Sequence, residues 1–349
     1  MSGSRLSHIC GSKPFAVGDA QAQRLIALAA ERGLKIRAGH DDRFSPKEYR
    51  FLAEHICICI CTYKRPLYLR RLISRLATQE TGGLFAYSIV VADNDRLRSA
   101  EPVVRELAVS SSIPIYYCVE SRRNIALARN KAVSNASGDF IAFIDDDEFP
   151  EKDWLFLLLS TCENYGVDGV LGPVRRHFDQ PPPKWLMKSR FYDRQIIPTG
   201  TMVNWQEART GNVLLRKKVL DSTEPHFLPH FRSGEDKDFF RRKIEQGYKF
   251  VWSANAVVYE TVPPARWKRR YMLRKALLRG ASFSLEPACG AVSIAKSFLA
   301  VPVYAVALPF AVFVGHHHFM TLLVRMFDHL GKLFALMGLN PVKEQYISE

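Results

Sequence analysis

The sequence predicts an α/β fold with a Rossmann-like, mostly parallel sheet and a C-terminal helical appendage. From His55 onward, short apolar runs alternate with longer segments of helical periodicity, which is the pattern of βαβ units. Polar and acidic residues follow each apolar run directly, where the carboxyl ends of parallel strands form ligand sites. A stretch of 19 residues without a charge, at 297–315, predicts an apolar helix beyond this fold.

Four strands and three helices make up the first part of the predicted sheet region. In the first strand, Cys57, Cys59 and Cys61 alternate with isoleucines, so all three thiols are expected on one face. No C-x-x-C pair accompanies them, which favours packing in the core over a metal or redox site. The strands are predicted at 56–61, 88–92, 113–118 and 140–144, and the helices at 67–79, 100–109 and 125–136.

The composition is that of a globular protein with an excess of basic residues. The 349 residues carry a formal net charge of +14, which predicts anionic partners. Length and pattern predict a leader at 1–54 with an amphipathic helix at 20–32, a catalytic domain at 55–285 and a C-terminal segment at 286–349. Residues 1–14 lack the apolar core of a secretory signal, so we expect a cytoplasmic catalytic domain with reduced cysteines.

An acidic triplet, Asp145, Asp146 and Asp147, follows the fourth predicted strand. Carboxylates suit Mg²⁺ or Mn²⁺, which bind one or two protein carboxylates and complete their coordination with phosphates and water. The triplet therefore predicts a metal site. The alternative is a solvated turn or the acidic start of a helix, since a helix is predicted directly afterwards at 153–162.

Basic side chains are expected around the same cleft. Lys64 and Arg65 follow the first strand, and Arg129 lies on the third helix, so a diphosphate bridged by a metal is the simplest ligand. Asp93 follows the second strand, where acidic side chains accept hydrogen bonds from nucleosides. A turn-forming role within Asp-Asn-Asp is the alternative for Asp93.

A second pair of carboxylates, Glu235 and Asp236, precedes a predicted helix at 239–246. Two separate acidic sites suit a transfer reaction, in which one site holds the leaving group and the other deprotonates the attacking hydroxyl. A helix-capping turn is the alternative. Gly211 and Asn212 predict a close backbone approach on the acceptor side of the site, because glycine permits contacts that a Cβ would block.

The densest basic segment lies between residues 264 and 280 and contains no acidic residue. Large apolar side chains are interleaved with the basic ones, which suits a membrane interface or the diphosphate of a lipid-linked acceptor. Arg270 and Arg274 are the candidate phosphate-binding residues. A solvated basic helix is the alternative.

Two apolar segments follow the basic one. The stretch at 297–315 just reaches the length of about 20 residues that spans a bilayer. Pro302 and Pro309 would kink such a helix, so a re-entrant segment competes with a straight span. The stretch at 319–339 contains charges and suits an interfacial helix, with a pair of soluble core helices as the alternative. The basic segment upstream favours attachment from the cytoplasmic side.

Six short motifs occur in a specific order between residues 56 and 280. They are TYKRP at 62–66, VADN at 91–94, NIALARN at 124–130, GDFIAFIDDD at 138–147, TGN at 210–212 and GED at 234–236. In these motifs the chain resembles the family 2 glycosyltransferases of bacterial polysaccharide synthesis, especially the branch with the succinoglycan-type exopolysaccharide enzymes.

The resemblance implies a GT-A fold in which a UDP-sugar lies over the strand ends. It implies that Thr62 and Asp93 contact the nucleoside, that Asp145 lies on the ribose side and that Asp147 binds the metal. It also implies that Asp236 is the base and that Glu235 orients the acceptor. The predicted donor site as a whole comprises Thr62, Lys64, Arg65, Asp93, Arg129, Asp145 and Asp146, with Asp145 and Asp147 as metal ligands.

The predicted function is an inverting transfer of one sugar from a UDP-sugar to a glycan, expected to be linked to a polyprenyl diphosphate, at the cytoplasmic face of the bacterial inner membrane. The chain lacks the Q-x-x-R-W signature of processive synthases, which predicts a single addition. A sugar nucleotidyltransferase is disfavoured because the loop at 62–66 has no glycine to hold a triphosphate. A non-enzymatic basic module that binds membrane or nucleic acid is the second alternative, and a nucleic-acid partner is not expected.

Overall fold

The computed structural model describes residues 8–9, 35–36, 54–189, 191–192, 196–221, 225–231, 234–283, 290–339 and 342. The helix predicted at 20–32 lies outside the described residues. The helices are α1 (Pro66–Leu76), α2 (Glu101–Ser110), α3 (Ile125–Ser134), α4 (Trp154–Tyr165), α5 (Lys184–Ser189), α6 (Glu235–Glu245), α7 (Arg269–Phe283), α8 (Ala291–Val314) and α9 (His316–Leu336). The strands are β1 (His8–Ile9), β2 (Lys35–Ile36), β3 (Glu54–Thr62), β4 (Phe85–Asp93), β5 (Ile115–Val119), β6 (Phe140–Ile144), β7 (Glu148–Pro150), β8 (Gly169–Leu171), β9 (Val174–His177), β10 (Asn212–Arg216), β11 (Phe250–Trp252) and β12 (Val258–Thr261).

A seven-stranded sheet in the order β11-β8-β10-β6-β3-β4-β5 forms the centre of the fold. The strands β6, β3, β4 and β5 are the four that the sequence predicts, and they pair in parallel. The mostly parallel α/β fold is therefore confirmed. Strand β10 runs antiparallel to both of its neighbours, and its register pairs Asn212 with Ile144 at the end of β6. This pairing carries Gly211 to the start of the acidic triplet.

The two faces of β3 point into two different core layers. Ile56, Ile58 and Ile60 pack on the side covered by α1, α2 and α4, whereas Cys57 and Cys59 pack on the side covered by α3 and α6. Each of these five side chains is at most 1% exposed. Burying an isoleucine of this kind contributes roughly 1.5–3 kcal/mol. The cysteines are core residues, as predicted.

A smaller sheet in the order β7-β12-β9 extends the strand ends of the central sheet. Strand β7 begins at Glu148, directly after the acidic triplet, and Glu148 pairs in register with Glu260 of β12. A 3₁₀ turn, Pro264–Trp267, then leads from β12 into α7. The small sheet therefore connects the acidic triplet to the basic segment.

The helices α7, α8 and α9 form one layer, with α9 in the middle. Helices α7 and α9 run in the same direction, because Arg269 lies 5.4 Å from the Phe319 ring and Arg279 pairs with Asp328 at 2.6 Å. Helix α8 runs antiparallel to α9, and Gly315 joins them with φ +144°. The predicted apolar helices are thus present, and α8 continues as one helix through both of its prolines. The predicted domain boundary at 285/286 falls at residues that are not described.

Two glycines allow the close packing of α7 on α9. A Cβ on Gly280 would lie 2.0 Å from the Asp328 carbonyl oxygen, and a Cβ on Gly331 would lie 2.3 Å from the Leu277 carbonyl oxygen. Both obstacles are backbone atoms, which cannot swing away. The two helix axes therefore come as close as only glycine permits.

We expect Gly331→Ala to lower the apparent thermal unfolding temperature of the full chain in mild detergent. The added methyl group forces α7 and α9 apart, and overpacking of this kind costs about 1–3 kcal/mol. Gly290→Ala is the matched control, because a Cβ at Gly290 meets nothing within 4 Å. Equal melting temperatures for the two variants would contradict the helix contact.

Candidate active site

The candidate site lies where β3, β4 and β6 end side by side. Thr62 and Asp93 are register partners at the ends of the adjacent parallel strands β3 and β4. The acidic triplet follows β6, which pairs with β3 on its other side. The sheet therefore brings together residues separated by more than eighty positions in the sequence.

Asp146 is the most buried member of the triplet, and it binds back to the loop after β3. Its carboxylate accepts hydrogen bonds from Thr62 Oγ1 at 2.8 Å and from Arg65 Nη1 at 3.1 Å. Burial raises the pKa of Asp146 to about 7 against the opposing effect of Arg65. Thr62 and Arg65 thus lie beside the triplet and hold Asp146 in place, while their contacts with the donor nucleotide stay predictions.

Asp147 binds two arginines from opposite sides. Its Oδ2 atom accepts a hydrogen bond from Arg65 at 3.2 Å and another from Arg266. Burial opposes ionisation, but Arg266 and Arg65 together lower the pKa of Asp147 below its ordinary value. The carboxylate is therefore held in the ionised form, which is the form that binds a cation.

Asp145 is the most accessible carboxylate of the triplet, with 45% of its side chain exposed. Its Oδ1 atom lies 3.6 Å from Arg129, whose side chain is only 8% exposed and also binds Glu235. Burial alone would lower the pKa of Arg129, but Glu235 and Asp145 raise it. Arg129 therefore lies between the two predicted carboxylate centres and contacts both. A direct contact between Arg129 and a donor phosphate stays a prediction.

Glu148 is a fourth carboxylate at the site, and no role for it was predicted from the sequence. It accepts a hydrogen bond from the Asp145 backbone N–H at 3.1 Å. Burial, with the nearby charges of Asp145 and Asp147, raises the pKa of Glu148 well above its ordinary value. A Cβ on Gly211 would lie 2.7 Å from Glu148 Oε1 and 3.1 Å from Asp145 Oδ2. The close approach predicted at Gly211 is therefore made to these carboxylates.

The structure gives the Asn212 side chain a role in the core, and the assignment of this residue to the acceptor side stays a prediction. Its Oδ1 atom accepts a hydrogen bond from Trp154 Nε1 at 2.8 Å. Its Nδ2 atom donates to the carbonyl oxygens of Pro173 at 3.1 Å and Ala256 at 2.7 Å. With the side chain buried and bonded inward, Asn212 fixes β10 to its surroundings.

Asp93 is fully buried and organises the loop after β4. It accepts hydrogen bonds from the backbone N–H groups of Asp95 and Ala100, at 3.0 and 2.9 Å, and from the Tyr117 hydroxyl at 2.9 Å. Burial raises its pKa. These contacts match the turn-forming alternative, and a contact with the nucleoside stays a prediction. Lys64 is exposed, with a left-handed φ of +55°, at the rim of the same cleft.

Helix α6 begins at the second carboxylate centre. Gly234 precedes it with φ +89°, a conformation that glycine adopts without strain. Glu235 points inward to Arg129, and burial raises the pKa of Glu235. Asp236 is more accessible, and the negative charges of Asp236 and Asp145 both act on Arg129. The two centres therefore face one another across this cation.

Arg266 is the member of the basic segment that reaches the triplet. It binds Asp147 and also donates to Glu260 Oε1 at 2.7 Å. The residues predicted from the sequence were Arg270 and Arg274. Arg270 is exposed on α7 and Arg274 is half-buried there, and the binding of an external phosphate by these residues stays a prediction. The signal for Arg266 was the dipeptide Arg266-Trp267, which retains the last two positions of the Q-x-x-R-W pattern.

A shallow pocket opens next to the ion pair of Arg266 and Glu260. One wall is formed by the small sheet, and the other is aromatic. It is lined by Val174, Arg176, Phe191, Tyr192 and Glu260. An aromatic wall opposite charged groups suits the apolar faces and hydroxyl groups of a sugar.

The chain shares its fold with a mannosyltransferase of known structure. This enzyme, PcManGT from Pyrobaculum calidifontis in complex with GDP-Man and Mn²⁺, superposes with a TM-score of 0.56 at 16% sequence identity. The match covers 93% of this chain and 97% of the mannosyltransferase. The fold is therefore that of a GT-A glycosyltransferase, with an apolar helical appendage.

Sequence comparison identifies the family. Residues 57–234 match Glycosyl transferase family 2. The chain is 33% identical over 304 residues to the succinoglycan biosynthesis protein ExoM of Rhizobium meliloti, which covers 84% of this chain and 96% of that protein. It is 22% identical over 217 residues to a dolichyl N-acetyl-alpha-D-glucosaminyl phosphate 3-beta-D-2,3-diacetamido-2,3-dideoxy-beta-D-glucuronosyltransferase of Methanococcus voltae, over 58% of this chain and 65% of that enzyme. The protein belongs to glycosyltransferase family 2. This membership argues against both alternatives considered from the sequence, a sugar nucleotidyltransferase and a non-enzymatic basic module.

We expect Arg129→Met to lower the free energy of unfolding by about 3–5 kcal/mol, because it leaves the buried Glu235 without its partner. Arg122→Met is the matched control, since the Arg122 side chain is exposed and solvent screens its pair with Glu120, so little change in stability is expected. Denaturant unfolding of both variants gives the comparison. A stable Arg129→Met protein that has lost only donor binding would show that Arg129 serves the phosphates alone.

Proposed function

We propose that this protein is an inverting glycosyltransferase that moves one sugar from a UDP-sugar to a lipid-linked glycan. The observation that carries the proposal is the meeting of two carboxylate centres across Arg129, which binds Glu235 and lies 3.6 Å from Asp145. One centre suits the donor and the other the acceptor. Such a division is what a displacement at the anomeric carbon requires.

The donor is proposed to lie over the ends of β3, β4 and β6. Thr62 and Asp93 stand in register there, with Lys64 at the rim. The arginines Arg65 and Arg266 already bind carboxylates of the triplet, and their forked N–H groups suit phosphate oxygens equally well. The choice of uridine rests on the resemblance of the sequence motifs, so the test below compares two bases.

The residues of the triplet fit a Mg²⁺ or Mn²⁺ ion. The described part of the chain holds no preformed group of three or more metal-binding side chains. A hard cation that completes its shell with donor phosphates and water needs only one or two carboxylates, and Asp147 and the accessible Asp145 supply these. When bound, the ion would neutralise charge on the departing diphosphate. Asp146 would fix the loop that carries both ligands.

Asp236 is proposed as the base. It removes the proton of the acceptor hydroxyl while the hydroxyl oxygen bonds to the anomeric carbon and the bond from that carbon to the diphosphate oxygen breaks. Attack from the side opposite the leaving group inverts the anomeric configuration. Glu235 is held by Arg129, so it positions the first turn of α6 and leaves the proton transfer to its neighbour.

The acceptor is proposed to approach from the side of the helical layer. Tyr192 of the pocket packs against the helical layer, and Glu260 is linked to Asp147 through Arg266. Gly211 keeps the surface beside Asp145 free of a side chain. Arg270 and Arg274 would serve the phosphates of the lipid carrier. The name of the Methanococcus voltae relative, which includes a dolichyl phosphate sugar, supports a lipid-linked acceptor.

Attachment to the cytoplasmic face of a bacterial inner membrane completes the proposal. Helix α8 is long and apolar enough to cross a membrane by length and composition, with a mean hydropathy of 2.2, and most of its surface is exposed. The basic segment precedes it. The combination of an apolar helix with basic residues suits a membrane with anionic lipids.

We expect UDP to raise the apparent unfolding temperature by a few degrees when Mn²⁺ is present, because a ligand that binds only the folded state stabilises it. The same measurement with GDP tests whether the site prefers uracil to guanine as the nucleobase. Asp147→Asn should weaken the shift, because it removes a ligand of the ion, whereas Asp179→Asn at the surface should not. A shift that is indifferent to Mn²⁺ in the wild-type protein would count against the metal.

We expect Asp236→Asn to keep the UDP-dependent shift and to lower the rate of sugar transfer by about 10²–10⁴-fold, the usual contribution of a general base. Transfer is measured with a panel of UDP-sugars and polyprenyl-diphosphate-linked acceptors. Glu245→Gln, at the exposed end of the same helix, is the control and should transfer normally. Unchanged transfer by Asp236→Asn would remove this residue from the mechanism.

A further inference from the structure

We propose that α8 lies flat on the surface of an anionic bilayer and does not cross it, so that both of its ends stay on the cytoplasmic side. The inference rests on the membrane attachment proposed above and decides between a spanning and a surface-bound helix. It follows from how α8 packs against α9, which in turn packs against α7. Length and composition alone favour a span.

One face of α8 is exposed and apolar along the whole helix. The exposed side chains recur every three or four positions, which places them on a single stripe. Only Lys296 interrupts the apolar character of this face. The large members of the stripe that are more than 60% exposed are Val292, Phe298, Leu299, Val303, Val306, Phe310, Phe313 and Val314.

The opposite face of α8 is covered by α9. Ser297 Oγ lies 2.9 Å from His329 Nδ1, the Tyr304 ring lies 5.8 Å from the His329 ring, and Ala311 is buried near the other end. The covered positions again recur every three or four residues along α8. The two helices are therefore packed side by side, so α8 cannot cross a bilayer in this arrangement unless α9 goes with it.

Charged residues would then enter the hydrocarbon. Ser297 is the seventh residue of α8 and lies roughly 9 Å along a helix of roughly 36 Å, so its partner His329 would lie within the apolar core of about 30 Å. Asp328, next to His329, pairs with Arg279 of α7. Insertion of α8 as a span would bring this ion pair and the basic helix α7 to the same depth, which is costly.

A flat orientation of α8 avoids this cost. It also lets the basic residues of the helical layer attract anionic lipids. The apolar stripe of α8 meets the acyl chains, Lys296 of α8 reaches the head groups, and the basic residues of α7 stay outside the hydrocarbon, facing the anionic surface across α9. Arg270, Lys275 and Arg279 on α7 are exposed, and so is Lys296 on α8 itself. The occupant of this face is therefore a membrane with anionic lipids, in the manner of interfacial helices.

We expect Val303→Glu and Phe310→Glu each to lower the fraction of protein that floats with phosphatidylglycerol vesicles by about tenfold or more, because each puts a charge into the apolar contact. Val109→Glu is the matched control. Val109 is 91% exposed, but it lies on α2 in the catalytic domain. Phosphatidylcholine vesicles should bind less of the wild-type protein. Failure of the wild type to float, with dimers that Val303→Glu dissociates, would make this face an interface between copies and overturn the proposal.

Labelling with a membrane-impermeant maleimide decides the topology. Gly290→Cys and His318→Cys place thiols at exposed positions before and after α8, with the parent protein as background. We expect neither thiol to react in intact cells and both to react after the inner membrane is permeabilised. Reaction of either one in intact cells would show that α8 spans the membrane, which overturns the proposal.

The UDP-dependent shift in unfolding temperature separates this inference from the proposed function. The variants of α8 should keep the shift, because none of them touches the triplet. Loss of the shift in the wild-type protein would refute the proposed donor site while leaving flotation and labelling unaffected. Conversely, a normal shift with thiols reacting in intact cells would refute only the flat orientation.

Discussion

The site depends on one buried cation. Arg129 comes from α3, and its guanidinium group stands between Asp145 at the end of β6 and Glu235 at the start of α6. Without it, two acidic segments would approach one another in a poorly hydrated space, where like charges repel strongly. The position of α6, and with it the position of Asp236, therefore depends on a residue that the sequence suggested only as a phosphate ligand.

Local pattern explains why so much of the sheet could be predicted. Alternating or continuous apolar runs identify β3 to β6, and the polar residues that follow them mark the strand ends without any knowledge of tertiary contacts. Strand β10 has no such signal. Its residues are as apolar as those of a parallel strand, and only its pairing with β6 and β8 shows that it runs the other way. The direction of a strand is a property of its neighbours.

Some site residues could likewise be predicted from local pattern, and others could not. Thr62, Arg65 and the triplet were found because they lie at strand ends. Asn212 was assigned to the acceptor side because it follows Gly211, yet its amide turns inward to Trp154. Within the basic segment, the sequence could not tell which arginine faces the triplet, because this depends on the 3₁₀ turn that aims Arg266 at Asp147. Side-chain direction is decided by such turns.

The glycine contacts between α7 and α9 have a consequence for which glycans can react. They bring α7 and α9 into direct backbone contact, and α7 follows directly on the 3₁₀ turn that carries Arg266. With α8 on the lipid surface, the triplet would then stand at a constant height above the membrane. This fixed height would select acceptors by their length. A sugar attached too close to its lipid, or too far along its chain, would not reach the reactive position even if its chemistry were correct.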